Sequence, residues 1–176
     1  MKSVMLIIRP KWCEKIASGE KTIEVRKNKP KLETPFKCYI YCTSGRPDLN
    51  IPISPERLMQ DYLDTGSMQS LNCPLGNGKV IGEFTCDRIY GLAPLNHAPD
   101  DVEKQACLTR EEIVNYLKGT GYGWHIVGLR IYDQPRELSE FTGLRNTRFG
   151  AAPYDIKRPP QSWCYVEKWE KNDGDK

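Results

Sequence analysis

The sequence has no apolar run long enough to cross a membrane as a helix; its best candidate, "VMLII", is five residues long and is bounded by Arg9 and Pro10. No basic-then-apolar leader stands at the start of the chain, so a soluble, untargeted, cytoplasmic protein is expected. The seven cysteines are an odd number and none forms a Cys-x-x-Cys pair. Cys38 and Cys42 stand four apart in "CYIYC", an alternating strand pattern, and a zinc site would have to gather them with Cys73 and His97 at no recognisable spacing. Buried thiols in a reducing compartment, with no metal and no cofactor, are the expectation. No internal repeat and no low-complexity segment points to a solenoid or a disordered tail.

What is present suits one globular core: 176 residues, 39% of them hydrophobic. The expected organisation is a single domain over 1–170 with an insertion at 44–78, followed by a polar tail at 171–176. Net charge is only +3, yet residues 1–37 hold ten Lys or Arg against four Glu. The first segment is thus +6 and the remainder −3. Such asymmetry suggests a surface that faces a polyanion, densest at "RKNKPK", Arg26 to Lys31; a solvated lysine-rich loop would carry the same charge.

"SVMLIIR" reads as a first strand, and Pro10 then opens a short helix through Ser18, with Trp12 and Ile16 on one face. Gly19 sits where a helix needs a left-handed terminating residue. "KTIEVRK" follows as a strand that sends Ile23 and Val25 one way and Thr22, Glu24 and Arg26 the other. "FKCYIYCT" is a third strand, and a fourth within "GKVIGEFTCDRIYGL" is expected to bend at Gly82. Within the insertion, Ser54 and Pro55 can open a helix bearing Leu58, Met59, Tyr62 and Leu63. In "LTREEIVNYLKG", Thr109 and Glu112 form a capping box, Ile113, Val114 and Leu117 form the apolar stripe, and Gly119 ends the helix. "GYGWHIVGLRIYDQP" is a fifth strand ending near Pro135, "RELSEF" one helical turn, and "SWCYVEKW" a sixth strand. The short first helix and the glycines inside strands favour an α+β fold: a small, bent β-barrel of about six mostly antiparallel strands with helices packed on it.

The chemistry concentrates on the second strand. Thr22, Glu24 and Arg26 share its polar face while Lys21 enters from the turn, and only a cleft that desolvates these charges makes them a site. Glu24 and Arg26 can form a salt bridge, or Arg26 can orient Glu24 while Lys21 offers a cation to a phosphate or carbonyl oxygen. Trp12 and Trp163 are candidates for base stacking, although tryptophans at such helical or strand spacing are more often core. Arg158 can reach a phosphate, with Ser162 donating a hydrogen bond beside it. His125 alternates with Val127 and Leu129, the pattern of a core or edge histidine, and lines the cleft only in a secondary reading.

The stretch "IRPKWCEKIASGEKTIEVRK" resembles the signature of the ASCH domain, a PUA-like family whose members share Gly-x-Lys-x-x-Glu-x-Arg after a short helix. Here that core is Gly19, Lys21, Glu24 and Arg26, without a gap. "GWHIVGLRIYDQPREL" and "RPPQSWCYVE" also resemble segments of bacterial and phage-borne members, leaving 44–78 and the tail uncovered. The resemblance implies a small β-barrel with a cleft beside the first helix and second strand, and recognition of RNA or a modified nucleotide. The ligand would be held by Trp12, Lys21, Glu24, Arg26, Lys27, Lys29, Arg158, Ser162 and Trp163.

Two other readings stand beside this one. One branch of the family is similar to amidohydrolases that deacetylate N4-acetylcytidine with a Lys, a Thr three residues later and a distant Glu. Lys21 matches, but Glu24 holds the Thr position, where a carboxylate does not replace a hydroxyl nucleophile; Glu103 and Gln105 stand near the place of the distant acid. A metal-independent hydrolase of a modified nucleobase or an RNA phosphodiester would then use Glu24 as general base and Lys21 to stabilise developing negative charge. The third reading is a protein-interaction module in which the charged strand is a solvated face.

Overall fold

In the computed structural model the described residues are 2–44, 63, 78–93 and 95–169. Most of the 44–78 insertion, including the helix expected at Pro55, and the tail at 171–176 lie outside them.

Strand β1 (Lys2–Ile8) is buried on both faces, which is why its sequence is a continuous apolar run and not an alternation. It sits between β3 (Phe36–Cys42), to which it is parallel, and β8 (Trp163–Glu167), to which it is antiparallel. Val4, Leu6 and Ile8 pack with Cys13 and Ile16 of helix α1 (Pro10–Ala17), while Met5 and Ile7 pack on the other face with Tyr39, Tyr41, Phe141 and Ile156. Each such side chain, fully buried, contributes about 1.5–3 kcal/mol.

The remaining strands are β2 (Ile23–Arg26), β4 (Lys79–Gly91), β5 (Tyr122–Arg136), β6 (Thr142–Thr147) and β7 (Gly150–Asp155). They make one mostly antiparallel sheet in the order β2-β5-β4-β3-β1-β8-β6-β7. The expectation of a barrel of about six strands is therefore corrected: the described sheet has eight strands and is open, with β2 and β7 at its two ends. The two strands that hydropathy does not mark are β6 and β7. β6 is exposed from Arg145 onward, and β7 only alternates exposed with half-buried residues, Tyr154 packing against the core, so neither carries the buried apolar run that would mark it in the sequence. The bend expected in β4 is present: its register against β5 shifts between Val80 and Gly82, and a Cβ at Gly82 would lie 2.5 Å from the Arg130 carbonyl oxygen.

Two helices cover β2. Helix α2 (Val102–Ala106) was not marked by any periodicity, being five residues long. Helix α3 (Arg110–Leu117) has the expected Thr109–Glu112 capping box, worth about 1 kcal/mol. Its buried stripe is Ile113 and Leu117, whereas Val114 is 54% exposed; a single helix face on β2 needs only the i, i+4 pair. The left-handed residue that closes α3 is Lys118, with φ 50°, one position before Gly119. Gly19, at φ 78°, does end α1 as expected. Val102, Ala106, Ile113 and Leu117 form with Ile23, Val25 and Leu92 a third apolar cluster.

Candidate functional site

Strand β2 is four residues long and buried on both faces. Ile23 and Val25 enter the cluster beneath α2 and α3, so Glu24 and Arg26 are driven to the opposite face. That face is not solvated: Lys21, Glu24 and Arg26 retain only 2%, 6% and 7% of their accessible surface. Thr22, expected among them, instead turns toward α2, where its backbone N–H donates to the Gln105 carbonyl at 2.9 Å and its hydroxyl to Gln105 Oε1 at 3.3 Å.

Glu24 lies between the two cations. Its Oε1 is 3.0 Å from Arg26 Nη2, and its Oε2 is 3.5 Å from Lys21 Nζ. Lys21 Nζ also donates to the Ala106 carbonyl at 2.7 Å, an acceptor left over at the C-terminal end of α2, and lies 5.0 Å from the centre of the Trp12 ring. Arg26 ties three chain segments together, donating from Nη2 to the Ile7 carbonyl at 2.8 Å and from Nη1 to the Ser162 carbonyl and hydroxyl at 3.2 and 3.3 Å. Ser162 accepts here through its oxygen, which leaves its O–H proton for the expected donation. Arg26 Nε is buried and meets no acceptor among the described residues. Burial pushes the Lys21 ammonium below its usual pKa, with the Glu24 carboxylate pulling the other way.

These groups line a cleft of about 400 Å³ at the ends of β1 and β3. Its lining also includes Ile7, Ile8 and Arg9, Trp12 of α1, Tyr116 of α3 and Gln161 of the loop before β8. Arg9, Tyr116 and Gln161 were not anticipated. Tyr116 had a signal, since it stands off the Ile113–Leu117 stripe and is 46% exposed, as an aromatic on the outer face of a helix should be if it serves something other than the core.

The other candidates lie elsewhere. Lys27 and Lys29 are exposed, their ammonium groups 5.3 and 5.2 Å from the Tyr116 and Tyr122 ring centres, so Lys27 stands at the rim beside a lining residue. Trp163 packs against the core, 6.1 Å from Trp124 and 5.3 Å from Tyr165 between ring centres. Arg158 is exposed in the loop before β8 and does not line the cleft. His125 is outside it as well, paired through Nδ1 with Asp87 at 2.7 Å and edge-on to Tyr90. Glu103 accepts from the Arg110 N–H at 2.6 Å and, like Gln105, is not a lining residue. Among the described residues no group of His, Cys, Asp or Glu is arranged to hold a metal ion, and no helix is long and apolar enough to cross a membrane.

No family model matches the sequence, and no curated protein matches it either. Solved structures do. The chain is similar to the ASCH protein of Zymomonas mobilis, with a TM-score of 0.52 and 17% identity over 94% of this chain and 88% of that one. A tyrosine-to-phenylalanine variant of the same protein gives a TM-score of 0.53 at 17% identity, over 96% and 92% of the two chains. A serine-to-alanine variant gives 0.52 at 16%, over 94% and 89%. The fold is that of an ASCH domain, in agreement with the Gly19, Lys21, Glu24 and Arg26 stretch.

Proposed function

We propose that the protein binds RNA or a modified nucleotide, with one base in the cleft formed by Lys21, Glu24 and Arg26. The observation that carries this reading is the burial of all three charges at the lining of one cleft. Taking an ion out of water costs several kcal/mol, which pairing offsets only when the geometry is good, and apolar residues of similar volume commonly do as well or better for stability. A strand face kept charged at that cost is better suited to recognition than to packing, and a solvated interaction face does not describe it.

The chemistry fits a base. Glu24 accepts hydrogen bonds and can read an exocyclic amine; Lys21 and the unmatched Arg26 Nε donate and can meet a carbonyl or phosphate oxygen. Trp12 and Tyr116 supply aromatic surface on the walls, and the volume lies in the range of small-ligand pockets. Lys27 and Lys29 beyond the rim suit the sugar-phosphate backbone. The family resemblance to RNA-binding PUA-like domains points the same way.

The hydrolase reading has one observation in its favour: a buried lysine of lowered pKa beside a carboxylate is an arrangement used for acid-base work. Two-dimensional NMR with a panel of nucleosides, N4-acetylcytidine among them, and short single-stranded RNAs tests both, with products followed by mass spectrometry. Shifts clustered at Lys21, Glu24 and Arg26 are the expected result, and a product lost in Lys21→Ala would turn the binder into an enzyme. Silence across the whole panel overturns the reading.

A further inference from the structure

A second basic segment lies inside the otherwise acidic remainder of the chain. Residues 142–158 carry Arg145, Arg148, Lys157 and Arg158 against Asp155 alone. Much of this segment is the β6–β7 hairpin, which closes with Thr147 opposite Gly150. Thr147 Oγ1 donates to the Gly150 carbonyl at 2.8 Å and accepts from the Phe149 N–H at 3.2 Å, so the tip has a defined shape. On that tip Phe149 is 86% exposed, with the Arg148 guanidinium 4.6 Å from its ring centre. An exposed aromatic ring paired with a guanidinium is the combination that stacks and neutralises unpaired nucleotides.

The hairpin is joined to the cleft by a row of contacts. Arg26 in the cleft donates to Ser162, which leads into β8. On β8 the Tyr165 hydroxyl accepts from the backbone N–H of Lys31, within the basic "RKNKPK" loop, at 2.8 Å. The Lys2 ammonium lies 5.4 Å from the centre of the same Tyr165 ring and donates to Asn146 on β6 at 3.0 Å. Asn146 is one residue from the turn that bears Arg148 and Phe149. Contacts between segments far apart in sequence thus connect the cleft to the hairpin tip, with the Lys2 ammonium along the way.

We propose that the β6–β7 hairpin is a second contact surface for single-stranded RNA, in which Phe149 stacks on a base and Arg148 contacts the backbone of a strand running past Tyr165 to the cleft. The cleft reading supplies the far end of that strand; the hairpin contact itself does not need it. The partner is assigned by charge complementarity together with the exposed ring.

Affinities of wild type, Phe149→Ala and Arg148→Ser are measured for a nucleoside monophosphate and for a single-stranded RNA of roughly 12 nucleotides. Phe149→Ala should weaken the longer ligand about tenfold and leave the monophosphate unchanged. Arg148→Ser should lower the slope of log affinity against log salt by about 0.7. Both side chains are exposed, so folding is preserved. If the monophosphate binds nowhere but the longer RNA still depends on Phe149, the hairpin surface stands and the cleft reading falls. Unchanged RNA affinity in both variants, or a wild type that does not bind the RNA, overturns the proposal. Phe149-dependent sedimentation with phosphatidylserine vesicles alongside unchanged RNA affinity overturns it in favour of a membrane surface.

Discussion

Glu24 Oε1 lies 3.0 Å from Arg26 Nη2, and the pair is almost completely removed from water. Because Lys21 approaches the other carboxylate oxygen, one buried anion serves two buried cations, and the cluster keeps an excess positive charge toward the cleft when Lys21 is protonated. That imbalance suits an anionic or carbonyl-bearing ligand, and it makes Glu24 the residue on which the others depend.

Glu24→Gln should therefore destabilise the fold by about 3–5 kcal/mol, the loss found when one partner of a buried ion pair is removed and its counter-charge is stranded. Urea denaturation checks this through the midpoint at constant slope. A midpoint equal to that of the wild type would mean that the three charges are solvated in solution.

Lys21 adds a pH signature. Its folded pKa lies below the ordinary 10.5 because burial disfavours the ammonium. Between the folded pKa and 10.5 the unfolded chain binds more protons than the folded one, so the contribution of Lys21 to stability rises as pH rises through that window. The stability of wild type minus that of Lys21→Met should grow as pH rises toward 10.5 and level off above it. Affinity for a phosphate-bearing ligand should fall over the same interval, as Lys21 loses its charge. A flat stability difference together with a falling affinity would assign the titration to some group other than Lys21.

The sequence made the central strands and the site's polypeptide neighbourhood readable because physics there is local. Pro10, Gly19 and the Thr109–Glu112 box act over a few residues, and "VMLII" announces a strand covered on both faces. Strands β6 and β7 pair with each other as a hairpin and join the sheet only through β8, some twenty residues further on, a relation that leaves no hydropathy mark, and without them the sheet is misread as a smaller closed barrel. The same distinction governs the site. Alternation along β2 placed Glu24 beside Arg26, but Thr22 left their face once Gln105 of α2 offered it partners, and α2 itself was too short to show a period. Tyr116 and Gln161 reach the cleft only through tertiary packing.

Gly82 permits a close approach of β4 to β5, and a side chain there meets backbone. A Cβ would stand 2.5 Å from the Arg130 carbonyl oxygen and 3.1 Å from the Ile131 Cα. Gly82→Ala should cost about 1–3 kcal/mol, the usual range for overpacking. Gly91→Ala, where nothing lies within 4 Å of the added carbon, should change stability by no more than about 0.5 kcal/mol. Thermal or urea unfolding of the two variants separates close packing from a general intolerance of β4 to alanine.

Trp12 and Trp163, alike as stacking candidates in the sequence, part company in the structure. Trp12 is half-buried on the cleft wall with Lys21 and Lys11 each about 5 Å from its ring centre, whereas Trp163 leans on Trp124 and Tyr165 outside the lining. Removing an aromatic surface that stacks on a base costs about 1–3 kcal/mol of binding, so Trp12→Ala should weaken a bound nucleoside monophosphate by roughly 5- to 150-fold. Trp163→Ala should leave that affinity nearly intact and instead lower the unfolding midpoint, since it removes packing from the main core. Calorimetric binding and urea unfolding of both variants give four numbers with a crossed pattern expected. If Trp163→Ala weakens binding while Trp12→Ala does not, the base sits on the β8 side of Arg26 and not against α1.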